Sequence, residues 1–139
     1  FVAGFIGSPA MNFIEATLIA KEGSHFLEAE GFTVRLPEVF SPRVEPYAGR
    51  PVIFGVRPED VVEHDPASGG GAGNTLTVRA DVVETLGFEI FAYLTCGGHP
   101  LVARMEVPQY PIDVGQTCEI DLKMEKTHIF DKETSQTIV

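Results

Sequence analysis

Polar and apolar residues alternate along most of this chain with a period of two. In Phe13–Lys21, Ile14, Ala16, Leu18 and Ala20 share one face and Glu15, Thr17 and Lys21 the other, with Ile19 the exception. Such alternation is the mark of a half-buried strand. Glu22-Gly23-Ser24 is a turn, and His25–Ala29 answers as the hairpin partner. Gly31 breaks the run before Phe32, Val34 and Leu36, which face away from Thr33 and Arg35. Val52–Arg57 makes a further short strand between Pro51 and Pro58. Proline has no N–H to give a ladder, and it holds the preceding residue extended, so Arg57 ends the strand with its side chain outward. Glu59 then lies close enough to pair with that guanidinium.

The second half continues in the same manner. Leu76, Val78, Ala80 and Val82 alternate with Thr77, Arg79 and Asp81. In Glu89–Thr95 both faces are apolar, Ile90, Ala92 and Leu94 on one and Phe91 and Tyr93 on the other. A strand wet on one side does not read like this; one face suits a core and the other a neighbouring lobe or subunit. Leu101, Ala103, Met105 and Val107 form the next inward row, followed by Cys118, Ile120, Leu122 and Met124 against Glu119, Asp121 and Lys123. Ile129-Phe130 and Gln136–Val139 suggest a closing hairpin.

The interruptions are as informative. Phe1, Val2, Phe5 and Ile6 have the spacing of one helical face, stopped by Gly7-Ser8-Pro9. Pro37 to Pro51 holds four prolines and reads as a loop with at most one helical turn. Residues 60–74, with Pro66 and Gly69-Gly70-Gly71, read as a flexible surface insertion. About nine short strands after a short N-terminal helix make an all-β chain, barrel or sandwich.

Charge and candidate chemistry narrow the function. Twenty acidic residues against ten basic give a net charge of −10, which opposes a phosphate backbone that binds through Lys and Arg. Phe88, Phe91 and Tyr93 could stack bases, but acids surround Arg79 and Arg104 nearby, so nucleic acid is not an expected partner. The glycine run lacks the Lys-Ser/Thr ending of a phosphate loop. His25, His64, His99 and His128 share no ligand spacing with Cys96 or Cys118, and no metal site is expected. No serine sits in a Gly-x-Ser-x-Gly elbow, so no catalytic residue and no enzyme activity is assigned to this chain. No apolar run reaches the ~20 residues of a spanning helix. The chain starts at Phe1 and reads as a piece of a longer protein.

Four stretches carry a resemblance. Phe54-Gly55-Val56-Arg57-Pro58-Glu59 resembles the "LGIRPE" strand of the C-terminal regulatory domain, called TOBE, of carbohydrate-uptake ABC importer ATPases of the maltose and glycerol-3-phosphate type. Phe1–Phe13 is similar to the hinge that hands the ATPase domain over to it, Val82–Gly87 to the "VVExLG" opening its second half, and His128-Ile129-Phe130-Asp131 to the "HLFD" near its end. The glycine-rich insertion departs from the family pattern.

The resemblance implies OB-fold-like barrel lobes. It also implies a boundary, with residues 1–12 closing the ATPase domain as a linker helix and 13–139 forming the regulatory domain. Arg57 and Glu59 would be a strand-end ion pair, Glu84 and Gly87 the turn into the second half, and His128 and Phe130 part of the terminal strand. Phe91 and Tyr93 would supply a subunit contact. All are structural or interfacial, with no cofactor here and with ATP and magnesium in the upstream domain of the parent. The implied partners are a second ATPase subunit in a homodimer, the membrane permease subunits and a regulatory protein. The implied location is the cytoplasm, at the inner face of the membrane. Transport of sugars or of sugar or polyol phosphates is the implied setting. The alternative is a module that senses an oxyanion or a sugar, with backbone amides at Gly87 or Gly97-Gly98 as anion donors.

Overall fold

In the computed structural model, the residues described are 11–64, 74–106 and 112–139. Among them are ten strands: β1 (Asn12–Lys21), β2 (Ser24–Ala29), β3 (Phe32–Arg35), β4 (Pro51–Val56), β5 (Val61–Glu63), β6 (Thr75–Leu86), β7 (Glu89–Cys96), β8 (His99–Glu106), β9 (Thr117–Leu122) and β10 (His128–Asp131). They form two five-stranded sheets, ordered β10-β4-β1-β2-β3 and β5-β9-β6-β7-β8, that together make a nearly closed barrel. This is the OB-fold-like all-β architecture expected. The one α-helix among the described residues, α1 (Ser41–Val44), lies between 3-10 turns at Glu38–Phe40 and Glu45–Tyr47, in the proline-rich stretch that reads as a loop with at most one helical turn. The expected helix at Phe1–Gly7, the Gly69–Gly71 run and Val107 lie outside the described residues.

The two halves of the chain do not form separate cores. β5 follows β4 in sequence but pairs with β9 in the other sheet, and β10 returns from the second half to pair with β4. Phe54 marks the result, fully buried with Ile14 of β1 opposite on one side and Ile129 of β10 on the other. Burying a ring of that size contributes about 1.5–3 kcal/mol. One apolar cluster runs from Ile14 to Ile138 through both sheets. The turns between β2 and β3 and between β7 and β8 also touch: a Cβ built on Gly31 would lie 2.4 Å from the Gly97 Cα.

Several expectations change in detail. β4 ends at Val56, one residue early; Arg57 keeps extended geometry (φ −77°, ψ 148°) but outside the ladder, since Pro58 has no N–H with which to continue it. β5 is a strand that alternation over three residues could not announce. The closing hairpin is reduced to an isolated bridge, Phe130 to Thr137, with main-chain bonds between Ile129 and Ile138–Val139. The inward row Leu76, Val78, Ala80 does not extend to Val82. A β-bulge between Ala80 and Val82 inserts Asp81 as an extra residue, and such an insertion exchanges the faces of the strand beyond it. Val82 is therefore exposed, and Val83 packs against the core instead. Asp121, expected outside, is buried and accepts a 2.6 Å bond from the Thr75 hydroxyl.

Candidate functional site

Residues from four places in the chain line one cleft of about 530 Å³. At the end of β4, Pro58–Asp60 folds into a 3-10 turn whose Asp60 N–H donates to the Arg57 carbonyl at 2.9 Å. The Lys123 N–H donates to the Asp60 carbonyl at 3.0 Å, which seats the turn Met124–Lys126 beside it. That second turn is closed by the Thr127 hydroxyl, which donates to the Met124 carbonyl at 2.6 Å. Arg57, Glu59 and Asp60 therefore face the cleft from one side, and Glu125, Lys126, Thr127 and His128 from another. Phe40 and Arg43 from the helical connector, with Val139, complete the lining. The His128 Nδ1 lies 3.3 Å from the Val139 main-chain oxygen.

The expected Arg57–Glu59 ion pair is absent among the described residues. The 3-10 turn that Pro58 starts sets both side chains, each exposed, toward the cleft rather than onto each other. Arg43 and Lys126 likewise enter no ion pair among the described residues. Burial pushes the Asp60 carboxyl above its ordinary range; Glu59 pushes the same way, and Lys126, Lys123 and Arg57 oppose it.

A second surface lies on the outer face of the β6-β7-β8 sheet. The register sets Val82 opposite Tyr93 and Tyr93 opposite Val102, then Glu84 opposite Phe91 and Phe91 opposite Arg104. Val82 is 48% exposed, Leu86 53%, Phe88 91% and Tyr93 37%. Phe91 and Tyr93 thus share the face away from the buried Ile90, Ala92 and Leu94, as the doubly apolar pattern requires. Gly87, at φ 63°, takes the first position of the two-residue turn, where a type II′ hairpin favours glycine. Arg104 donates from Nε and Nη2 to the two Glu89 carboxylate oxygens at 3.1 and 3.0 Å, a charged border beside the apolar row.

The predicted positions thus separate into groups. Arg57, Glu59 and His128 meet at the cleft, while Glu84, Gly87, Phe91 and Tyr93 belong to the outer sheet face. Phe130 joins neither; it is buried and meets the Phe13 ring edge-on at 6.0 Å. Gly87 and Gly97-Gly98 do not line this cleft. Cys96 and Cys118 are free thiols, both held up by burial.

Two arrangements escape sequence reasoning. The Asn12 side-chain amide donates to the Val102 carbonyl at 2.9 Å, and its oxygen accepts from the Val102 N–H at 2.8 Å. It thereby imitates a strand neighbour on the free edge of β8 and ties the two sheets together. Buried His25 reaches Ser41 Oγ at 3.2 Å through Nδ1 and the Glu45 carboxylate through Nε2, fastening the helical connector, and with it Arg43, to β2. An asparagine opening a strand and a histidine inside one give no periodic signal.

Comparison with known proteins agrees with this geometry. The family model of the MalK OB fold domain matches residues 7–61, and that of the TOBE domain matches residues 54–130. Their overlap falls on β4 and the turn after it, where the two sheets exchange strands. The chain is 39% identical over 142 residues to the trehalose/maltose import ATP-binding protein MalK of Thermococcus litoralis, covering 99% of this chain and 37% of that protein. It is 33% identical over 138 residues to the oligosaccharides import ATP-binding protein MsmX of Bacillus subtilis, again covering 99% of this chain and 37% of the relative. The chain thus spans little more than a third of the length of these relatives. The molybdate-bound crystal structure of the cytoplasmic molybdate-binding protein ModG superposes with a TM-score of 0.61 at 16% identity, covering 89% of this chain and 96% of that one; this likeness is one of fold. With two adjoining family models spanning nearly all of its strands, the chain belongs to the TOBE domain family, in the form that couples a MalK OB fold to a TOBE domain.

Proposed function

We propose that this chain is the regulatory and dimerisation domain of the ATP-binding subunit of an ABC importer for sugars or for sugar or polyol phosphates. It contributes no catalysis itself. ATP and magnesium are handled by an upstream domain, residues 1–12 being the hinge that leads from it. The parent protein works in the cytoplasm against the membrane, as a homodimer joined to permease subunits and open to a regulatory protein partner. The relatives named for trehalose/maltose and oligosaccharide import support the transport setting.

The observation that carries the regulatory reading is the outer face of β6-β7-β8. The row Val82–Tyr93–Val102, with Phe91 beside it and Leu86 and Phe88 at the hairpin tip, leaves Val82, Leu86, Phe88 and Tyr93 exposed next to half-buried Phe91 and Val102. Contiguous exposed apolar surface with a charged border is what a protein contact needs. Sedimentation velocity from micromolar to millimolar concentration tests this. Association that rises with concentration and disappears in Tyr93→Arg is expected; a chain that stays monomeric throughout, or that associates equally well as Y93R, refutes it.

A further inference from the structure

We propose that the cleft lined by Arg43, Arg57, Lys126, Glu59, Glu125 and Phe40 binds a phosphorylated sugar or polyol. In a chain of net charge −10, two guanidinium groups and an ammonium group converge on one cavity. Carboxylates line the same cavity, yet none of these cations forms an ion pair among the described residues. Both signs of charge thus face a common gap and leave it open. Arginine pairs presented in this way suit phosphate oxygens, which a planar guanidinium grips two at a time. Glu59 and Glu125 can only accept hydrogen bonds when ionised, so their complement is a set of hydroxyl donors. A phosphomonoester of a polyhydroxylated carbon chain carries both; a neutral sugar lacks the anion, and inorganic phosphate lacks the row of carbon-borne hydroxyls that could reach both carboxylates. Phe40 adds an apolar wall for the carbon skeleton, and 530 Å³ lies in the ordinary range for a small-molecule site.

The fold builds this site from separate segments. Arg57 and Glu59 arrive from the end of β4, Glu125 and Lys126 from the turn before β10, and Arg43 from the connector that His25 anchors. An occupant would brace all three. The cleft shares no residue with the Tyr93 face, so the inference goes beyond the association reading and stands or falls separately from it.

The test is thermal melting and titration calorimetry with glucose 6-phosphate, sorbitol 6-phosphate, inorganic phosphate and glucose. A saturable rise in Tm is expected with the two phosphate esters. Inorganic phosphate should bind at least tenfold more weakly and glucose not measurably. Arg57→Gln and Arg43→Gln should each lower ester affinity tenfold or more, Glu125→Gln several-fold, and affinity should fall with added salt. Arg43, Arg57 and Glu125 are exposed and outside any ion pair among the described residues, so these variants should melt unliganded like the parent. If R57Q nevertheless melts lower, R43Q and E125Q give the same reading. Absence of any shift overturns the proposal. So does a shift that survives both arginine substitutions, one that glucose matches, or equal binding of inorganic phosphate.

Discussion

Asn12 offers the sharpest check on how the two sheets are joined. Its amide makes two hydrogen bonds to one peptide group of β8, 2.9 Å to the Val102 carbonyl and 2.8 Å from the Val102 N–H. The side chain is buried, so Asn12→Ala removes both partners without offering room for good replacements. A buried polar group stripped of its partner costs about 1–3 kcal/mol. Val102 is only half-buried, which lets water recover part of this, and a loss of about 2–3 kcal/mol is the working value. Urea unfolding should show it as a lower midpoint at unchanged slope. Asn12→Asp refines the test. At pH 7 the carboxylate can still accept from the Val102 N–H but must face the Val102 carbonyl as a second acceptor. Protonated, it can donate and accept as asparagine does. Its pKa is therefore raised in the folded state, so its stability is fullest below about pH 4 and is lost as pH rises through the folded value. The gap between N12D and the parent should narrow from pH 7 toward pH 3.5. A loss below about 0.5 kcal/mol for N12A, or an N12D gap that ignores pH, would refute the clasp as a real fastening between the sheets.

Other substitutions probe different parts of the fold. Gly31→Ala places a Cβ 2.4 Å from the Gly97 Cα at φ +89°; backbone against backbone cannot yield cheaply, so its fall in Tm should clearly exceed that of Gly49→Ala, which has a similar φ of +83° but open space and so suffers backbone strain alone; equal falls would mean that the close approach of the two turns costs nothing. Leu94→Ala, 2% exposed, should cost about 2–5 kcal/mol, whereas Tyr93→Ser on the opposite face should cost under about 1 kcal/mol while weakening association; equal costs would mean that the outer face is not free. Asp60 is driven upward chiefly by burial, so the folded state favours its protonated form and stability from this group declines as pH rises through the folded value. Asp60→Asn should therefore gain on the parent between pH 3 and pH 7, and a gain that shrinks over that range would contradict the assignment.

Much of the fold is legible because burial on one side of a sheet imposes a period of two. Ile14, Ala16 and Leu18, and later Ile90, Ala92 and Leu94, are inward both by pattern and in the structure. The pattern fails where the backbone breaks period. Asp81 adds one residue, and nothing in Ala80-Asp81-Val82-Val83 says which valine turns inward, because both are apolar. It also fails where strands are too short, as at Val61–Glu63. Pairing partners are less visible still: β4 finds β10 across more than seventy positions, and periodicity carries no information about that register.

The bulge shapes the outer face as well as the core. Were Asp81 paired in the ladder instead, Val82 would continue the inward row of Leu76, Val78 and Ala80, and the outer face of β6 would carry the alternate, more polar set. By leaving Asp81 unpaired as the extra residue, the strand keeps Val82 and Leu86 outward beside Tyr93 while Val83 fills the core. Asp81 itself is held at the bulge by the Arg79 guanidinium at 2.8 Å and the Thr95 hydroxyl at 2.5 Å, bonds that draw its pKa down. Deleting Asp81 should therefore leave the faces where they are. It sets Val82 directly after Ala80, so Val82 stays opposite Tyr93 and Val83 opposite Ala92, now in an unbroken ladder. What is lost is the local bend of the bulge and the bonds of Asp81 to Thr95 and Arg79. The expected outcome is a chain that still melts cooperatively and still keeps Val82 and Leu86 outward, so that its self-association matches the parent's. A deletion that fails to fold, or that folds but buries Val82, would refute the assignment of Asp81 as the extra residue.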